Sequence, residues 1–214
     1  MKRTVNVAGA LLTVAGMILL AYVGVSWVQS RQGSPAQASA SSWSAAEQAK
    51  GREIASTLGN RVQDASFTTG SGPPPGSEPA ARIIIPRIGV NAPVVETAPV
   101  AGVWEVADWA VGHLSTSPNP GGVGNNALSA HDDIKGEVFK RLGELQPGDQ
   151  VQLRTRHAVY VYVVTDQLTV DPSDVSVLNQ SPKAIVTLIS CEPYWVDTQR
   201  LVVQALLKSR QAIA

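Results

Sequence analysis

The sequence predicts an all-β domain of seven to eight short strands, arranged as a closed or nearly closed β-barrel or as a sandwich. From Ala81 onward, apolar and β-branched residues come in short runs that Gly, Pro and Asn turn signals separate. Helical spacing occurs only briefly, at Phe139, Leu142 and Leu145. The chain carries no net charge and no basic run, which argues against a nucleic-acid partner.

The N-terminus predicts a transmembrane helix. Val5–Trp27 forms 23 uncharged and mostly apolar positions, and about 20 apolar residues span a bilayer. Lys2 and Arg3 precede this run, so we expect a cytoplasmic N-terminus and an extracytoplasmic remainder on a single-pass membrane protein. Residues 1–28 are therefore predicted to form the cytoplasmic start and the anchor. The alternative is a signal peptide cleaved at the small residues 38–40, but the apolar run exceeds the length of a signal-peptide core.

Residues 29–80 are predicted to form a stalk and linker, with a helix followed by a Gly/Pro-rich segment. Ser44 stands three residues before Glu47, which is the capping-box pattern of a helix start. The helix that follows has few apolar positions, so it could serve as a stalk or pack on the domain. Ser66–Pro79 is rich in Gly, Pro and Ser, a composition typical of a linker. We place the globular domain after this linker, at residues 81–214.

The strands of that domain follow from β-type runs and the turns between them. In chain order the predicted strands are Arg82–Ile85, Val90–Glu96, Gly102–Trp109, Asn126–His131, a hairpin over Val151–Val170, Lys183–Cys191 and Arg200–Leu207. Tyrosine and valine alternate within 159–164, which is the period of two expected of a strand. Pro147 and Gly148 predict a type II turn before the hairpin, and Pro118–Asn126 predicts a long loop.

Cys191 is the only cysteine of the chain. Exported proteins use cysteines in pairs as disulfides, so a single one indicates a reactive thiol, an intermolecular bridge or an inert buried residue. Strand alternation puts Thr187 and Cys191 on one face of their strand. Arg200 opens the next strand nine residues later. Antiparallel pairing of the two strands would bring Cys191 and Arg200 to the same end of the sheet.

A thiol that attacks a carbonyl needs a base, because an ordinary thiol is only a few per cent thiolate at neutral pH. The chain has three histidines. We expect His157 to be a solvated turn residue. His113 precedes a predicted loop and is a less favoured candidate for the base. His131 ends a strand just before the acids Asp132 and Asp133, where site residues tend to lie. These two acids either help to shape the loop after His131 or are solvated turn residues, which is what we expect by default. His131 is the candidate base.

Several motifs resemble those of the sortases. The segments Leu128–Asp133, Phe139–Leu142 and Leu145–Asp149 are similar to the sortase histidine segment. Thr187–Cys191 is similar to the sortase motif Thr-Leu-x-Thr-Cys, with Ser in place of its second Thr. Arg200 follows where the family has its arginine, and the order His, Cys, Arg is also the family's. The short loop between Cys and Arg resembles most closely the class D or class E sortases.

This resemblance implies a sortase-type β-barrel with short helices and a membrane-anchored cysteine transpeptidase. Its nucleophile would be Cys191, its acid and base His131, and its oxyanion donor Arg200. The implied partners are an LPxTG-like sorting signal at the C-terminus of surface proteins or pilins, and an amine of the cell wall or of a pilin. We expect no cofactor and no metal site, because no run of carboxylates in the sequence indicates a calcium site.

Four further residues are candidates for substrate binding, each with a plainer alternative. Thr187 is either a substrate contact or a β-former on a half-buried face. Ser129 either orients His131 or has no role. Tyr194 and Trp195 stand in the loop before Arg200, where they either line the groove for the sorting signal or cap the barrel.

Three other functions compete with this hypothesis. An L,D-transpeptidase would need a Ser-His-Gly-Cys type of motif, which is absent. A papain-like hydrolase has its cysteine before its histidine, the reverse of the order found here. A catalytically inactive, membrane-anchored barrel that binds a surface protein or polymer stays open as the alternative.

Overall fold

An eight-stranded closed barrel forms the body of the protein in a computed structural model that describes residues 41–61, 73–101 and 103–213. The strands are β1 (Arg82–Ile85), β2 (Val90–Thr97), β3 (Pro99–Val100), β4 (Val103–Trp104), β5 (Val111–Leu114), β6 (Gly124–Ser129), β7 (Gln150–Arg154), β8 (Ala158–Val170), β9 (Ala184–Glu192) and β10 (Gln199–Ala212). The barrel order is β1-β2-β5-β6-β9-β10-β8-β7, and β3 and β4 form a separate two-stranded sheet. The closed barrel confirms one of the two predicted architectures and excludes the sandwich.

Helices are few in the part of the chain that the structure describes. There, one α-helix, α1 (Ala45–Arg61), precedes the barrel, and three short 3₁₀ helices connect strands at Pro86–Ile88, Leu142–Glu144 and Val175–Leu178. The predicted membrane span lies outside the described residues. Within the described ranges, no helix combines the length and the apolar character that a bilayer crossing requires.

Helix α1 packs on the barrel, which resolves the alternative that the sequence left open. Its capping box forms as predicted, since the backbone N–H of Ser44 donates to Glu47 Oε2 at 2.7 Å. Just before the helix, Trp43 is buried and its Nε1 donates to the carbonyl of Leu145 at 3.0 Å. Gly51 lets the helix approach β8, because a Cβ there would overlap the carbonyl oxygen of Thr165.

Strand alternation separates an interior face from an exterior face on every long strand. Aliphatic side chains fill the interior, among them Ile83, Ile85, Leu128, Val151, Leu153, Val186, Leu188, Leu201, Val203 and Ala205. Burial of a large apolar side chain contributes about 1.5–3 kcal/mol, so this cluster supplies the main driving force for closing the barrel. Thr187, Cys191 and Arg200 alternate with core residues of β9 and β10 and therefore lie on the exterior face.

Two local predictions have different outcomes. The type II turn is confirmed, because Gly148 has a φ of 101° and the Asp149 N–H donates to the Gln146 carbonyl at 3.0 Å. The predicted strand Gly102–Trp109 is wrong beyond the two residues of β4. Residues 105–110 form a loop instead, in which Trp109 has a φ of 57° and its N–H donates to the carbonyl of Lys135 at 2.8 Å.

Candidate active site

Three adjacent strands bring the predicted catalytic residues to one end of the barrel. Strand β9 lies between β6 and β10, and Arg200 is the direct cross-strand partner of Cys191. Strand β6 runs parallel to β9, with Ser129 opposite Ile189. Continuing this register by two residues puts His131 level with Cys191. Because neighbouring strands lie about 4.8 Å apart, the three residues occupy neighbouring positions on the same edge.

Charges around the thiol act in opposite directions. Cys191 is half-buried and unpaired, and burial raises the pKa of its thiol. The guanidinium of Arg200 lowers this pKa, while the carboxylates of Asp197, Asp132 and Asp133 raise it. The net shift is upward, so the resting side chain is a thiol at neutral pH. The spacing of Cys191 and Arg200 predicted the favourable cation, but nothing local in the sequence predicted three opposing carboxylates.

The raised thiol pKa predicts how alkylation of the chain depends on pH. Cys191 is the only cysteine, so uptake of iodoacetamide reports on this thiol alone. We expect the rate to rise about tenfold per pH unit from neutral pH, with a midpoint above the ordinary value of about 8.5. Mass spectrometry of samples quenched over time measures the rate. A rate that is already level at neutral pH would show a stabilised thiolate instead.

His131 has an acidic neighbour that the sequence analysis missed. Its imidazole is largely buried, and Asp108 Oδ1 lies 3.7 Å from its Nε2. Asp108 also pairs with Lys135 at 2.9 Å, and both residues belong to loops on either side of the imidazole. Nε2 is buried and has no hydrogen-bond partner among the described residues. Asp108 was missed because the residues around it have a β-type composition and were assigned to a strand.

Arg200 turns its guanidinium toward backbone carbonyls. Its Nη1 donates to the carbonyl of Gln199 at 2.8 Å and to that of Asp197 at 3.1 Å. Among the described residues, no carboxylate lies within ion-pairing distance of Arg200. Arg200 therefore forms no surface ion pair with Glu192 or Asp197, the acids near it in the sequence.

Asp132 and Asp133 are buried, so the prediction of solvated turn acids is wrong. The two residues expose 5% and 7% of their surface. Burial raises the pKa of Asp132 to about 6, and the nearby charges of Asp133, Asp197 and Glu192 raise it as well. One carboxylate oxygen of Asp132, Oδ1, is buried without a hydrogen-bond partner in the part of the chain that the structure describes. The surroundings of Asp132 therefore destabilise the ionised form of its carboxyl group.

This burial predicts the effect of Asp132→Asn on stability. The pKa of the carboxyl is 3.8 when unfolded and about 6 when folded, so folding disfavours the ionised form. The wild type therefore loses stability as pH rises through this window, and the variant does not. We expect the variant to be more stable at neutral pH, by about 1–3 kcal/mol, in thermal unfolding. The gain should vanish below about pH 4, and a less stable variant at neutral pH would contradict the prediction.

The carboxylates of Asp132 and Asp197 lie close to the thiol. One oxygen of each and the sulfur of Cys191 are all within 4.8 Å of one another. Within the described residues, this is the only group of acidic, histidine or cysteine side chains with spacing suited to a metal ion. Its sulfur is the predicted nucleophile, so a metal ion bound there would block the thiol rather than assist it.

Thr187 and Ser129, two of the predicted substrate contacts, are covered. Thr187 has no exposed surface, and its hydroxyl donates to Asn125 Oδ1 at 2.6 Å. The carbonyls of Val177 and Asn179 in turn accept from the amide of Asn125, so the connection from β8 to β9 covers this part of the exterior face. Burial thus speaks against Thr187 as a substrate contact. Ser129 is also buried, and its hydroxyl makes no hydrogen bond to the imidazole of His131.

Tyr194 and Trp195, the other two candidates, lie at the surface between Cys191 and Arg200. Trp195 is 65% exposed, and the two rings stack edge to face at 5.4 Å. Tyr194 also contacts the segment after His131, since its hydroxyl donates to Glu137 at 3.2 Å and Lys140 Nζ lies 5.0 Å from its ring. A concavity of about 300 Å³ adjoins this contact, lined by residues 88–92, 136–138, 140 and 141. It does not include the thiol itself.

The other two histidines are engaged elsewhere. His113 is buried, with Nδ1 2.8 Å from Glu96 Oε1 and Nε2 3.0 Å from the hydroxyl of Ser117. His157 is not merely solvated, because its Nδ1 lies 2.6 Å from Glu78 Oε1. Both rings are therefore held in structural contacts, and neither shares the edge of Cys191.

Comparison with known proteins identifies relatives of this chain. A sequence model of the Sortase domain matches residues 83–208, which is more than half of the chain. The chain is 29% identical over 164 residues to Sortase SrtE1 of Streptomyces coelicolor, covering 70% of this chain and 46% of that protein. It is 32% identical over 111 residues to Sortase D of Bacillus subtilis, covering 51% of this chain and 52% of that protein. The chain thus spans about half the length of the curated relatives it matches.

Solved structures support the same likeness. The structure of sortase E from Streptomyces avermitilis aligns with a TM-score of 0.53 and 30% sequence identity. The alignment covers 63% of this chain and 91% of that chain. The likeness therefore extends over the barrel that carries the three candidate residues.

Proposed function

This chain belongs to the sortase family, and from that premise we propose that it is a cysteine transpeptidase acting on C-terminal sorting signals similar to LPxTG. The donors would be surface proteins or pilins, and the acceptor an amine of the cell wall or of a pilin. One observation carries the proposal: Arg200 is paired in register with Cys191, while His131 follows the neighbouring strand at the same level.

In the first step Cys191 attacks the carbonyl carbon of the Thr–Gly-type bond. The C–N bond breaks, a thioester forms, and His131 gives a proton to the leaving amine. The resting site supports a role for a base, because the raised pKa of Cys191 leaves the sulfur protonated at neutral pH. His131 therefore has to take this proton before or during the attack.

In the second step an amine replaces the thiol. His131 removes a proton from the incoming amine, which attacks the thioester carbon and releases the thiol. Arg200 supports both steps by donating hydrogen bonds to the substrate carbonyl as negative charge develops on its oxygen. Arg200 has no carboxylate partner among the described residues, which supports this role because no ion pair there neutralises the guanidinium charge.

The location of the protein completes the proposal. We propose that the apolar segment Val5–Trp27 anchors the chain in the cell membrane, with residues 81–214 on the extracytoplasmic side. Sorting signals and their acceptors would then meet the enzyme at the outer surface of the membrane. Intact-mass measurement of the chain isolated from membranes tests whether the segment is retained.

A peptide-library experiment tests the proposed activity. The full chain is incubated with five-residue sorting peptides and several amines, and products are identified by mass spectrometry. We expect a thioacyl adduct on Cys191 and an amide product with at least one peptide–amine pair. If no peptide yields either species, the chain is not a transpeptidase. The catalytically inactive barrel that binds a surface protein or polymer is then the better hypothesis.

Substitution of Arg200 by lysine tests the oxyanion role. Lysine keeps the positive charge but lacks the planar fork of N–H donors, so it cannot reproduce the geometry of a guanidinium. We expect a loss of about 10²–10³-fold in kcat/KM for a sorting peptide, the usual cost of removing one oxyanion donor. Near-wild-type turnover would show that Arg200 only stabilises the loop between β9 and β10.

A further inference from the structure

We propose that Asp132 and Asp197 form a cation-binding site that holds the ammonium group of the acceptor amine beside the thioester on Cys191. The inference rests on the proposed transpeptidase function and adds to it the place where the second substrate binds. It also names the chemical class that the site selects, which is a positively charged primary amine.

The distances suit an amine that attacks an acyl group on the sulfur. The two carboxylate oxygens and Cys191 Sγ lie within 4.8 Å of one another. The thioester carbon is bonded directly to this sulfur, and an attacking nitrogen must come within about 3–3.5 Å of that carbon. A nitrogen that donates to Asp132 or Asp197 at a normal hydrogen-bond distance of about 2.9 Å can reach this range, since both oxygens lie within 4.8 Å of the sulfur.

Asp132 supplies an independent sign that a ligand belongs here. The residue is 5% exposed, and its Oδ1 is buried without a partner among the described residues. Buried carboxylate oxygens are almost always paired, and a lone one is costly. An ammonium group brings three N–H donors and a positive charge, so pairing with the carboxylate of Asp132 would offset the cost of burying it.

The charge around the thiol also favours a cation. Four acids, Asp132, Asp133, Glu192 and Asp197, act on Asp132 or Cys191, and the guanidinium of Arg200 is the opposing charge at the thiol. The nearby lysines do not neutralise them. Lys135 pairs with Asp108, and Lys140 pairs with Glu137 at 2.6 Å. The imidazole of His131 lies on the same edge and serves as the proton acceptor.

The proposed step balances in atoms and protons. The amine binds as R–NH₃⁺ and loses one proton to His131, after which its nitrogen attacks the thioester carbon. The C–N bond forms, the C–S bond breaks, and a second proton passes from nitrogen to the sulfur, which regenerates the thiol. The carboxylates bind and orient the amine but form no bond with it. Because the pKa of Asp132 is raised to about 6, this carboxylate is charged at neutral pH and loses its charge below that value.

Partition of one thioacyl enzyme between amine and water tests the inference. The full chain is acylated with a sorting peptide that labels the wild type, and the ratio of amide to hydrolysed product is measured by mass spectrometry. Glycinamide, largely an ammonium at neutral pH, is compared with hydroxylamine, which is largely uncharged. The ratio cancels any change in the acylation rate, which matters because removal of a carboxylate also alters the thiol.

We expect Asp132→Asn and Asp197→Asn each to lower the glycinamide ratio about tenfold, the usual worth of a hydrogen bond to a charged group. The hydroxylamine ratio should change less than about twofold. Added salt should lower the glycinamide ratio of the wild type more than that of the variants. Glu53→Gln is the matched control, because it removes one exposed carboxylate on α1 near Lys208, eight residues along β10 from Arg200.

Two results would overturn the inference. An unchanged glycinamide ratio in both aspartate variants would show that the carboxylates do not bind the acceptor. An equal fall with glycinamide and hydroxylamine would show a general effect on the thioester rather than recognition of charge. These results differ from failure of the proposed function, in which the wild type would form no thioacyl enzyme at all.

Discussion

Replacement of Cys191 by alanine is expected to abolish cleavage and transfer of sorting peptides, with a loss of at least about 10⁴-fold in kcat/KM. Removal of a nucleophile leaves only the contribution of binding and of the oxyanion donor to the rate. The sulfur is the only thiol of the chain, so no second cysteine can replace it. Product formation is measured by mass spectrometry with the peptide and amine that the wild type accepts.

The fold of this variant should survive, which makes the result interpretable. Cys191 is half-buried on the exterior face, outside the aliphatic cluster that closes the barrel. Its loss should change the free energy of unfolding by about 1 kcal/mol or less, because no large cavity is left in the core. A variant that is folded and still active would show that Cys191 is not the nucleophile. The interpretation of Cys191 as an inert cysteine would then be favoured.

Replacement of His131 by alanine should have the second largest effect. The raised pKa of Cys191 means that the thiol does not ionise by itself at neutral pH, so a proton acceptor is needed. We expect kcat/KM to fall about 10²–10⁴-fold, the usual contribution of a positioned acid and base. Turnover of the same peptide and amine, followed over a range of pH, measures the loss and any residual dependence on hydroxide.

His157→Ala is the matched control for this prediction. Its ring is held by Glu78 in the turn between β7 and β8, away from the edge that carries Cys191. We therefore expect near-wild-type turnover from this variant, with at most a small loss of stability. The reverse pattern, an active His131 variant beside an inactive His157 variant, would overturn the assignment of the base.

The barrel was predictable because its strands depend on local patterns. Alternation of apolar side chains, turn residues such as Gly148 and the scarcity of helical spacing are all visible in the sequence. The barrel closes with eight strands, within the predicted seven to eight, although β5 itself was not predicted. The segment before β5 was mispredicted for the opposite reason. Its β-type composition favours a strand. In the structure Trp109 instead adopts a positive φ and its N–H donates to the carbonyl of Lys135, a tertiary contact that overrides the local preference.

Burial explains why some residues near the candidate site differ from what the sequence predicted. Asp132 looks like an ordinary turn acid in the sequence, and its burial comes from elements that pack around it after folding. Thr187 alternates correctly with the core but is covered by the connection from β8 to β9 through Asn125. The burial of these two side chains cannot be inferred from the residues within a few positions of each in the sequence.

The sequence by itself predicted that one thiol and one arginine lie at the same end of the sheet, because antiparallel pairing of two strands joined by a short loop brings them there, and the structure pairs them directly. Only the tertiary structure decided what surrounds that pair. His131 reaches the level of Cys191 through parallel pairing of β6 and β9, across 60 residues of chain. The carboxylates of Asp132 and Asp197 converge on the sulfur in the same way. Contacts between distant segments and the desolvation they cause set the charge balance of the site, and local sequence preferences carry no information about either.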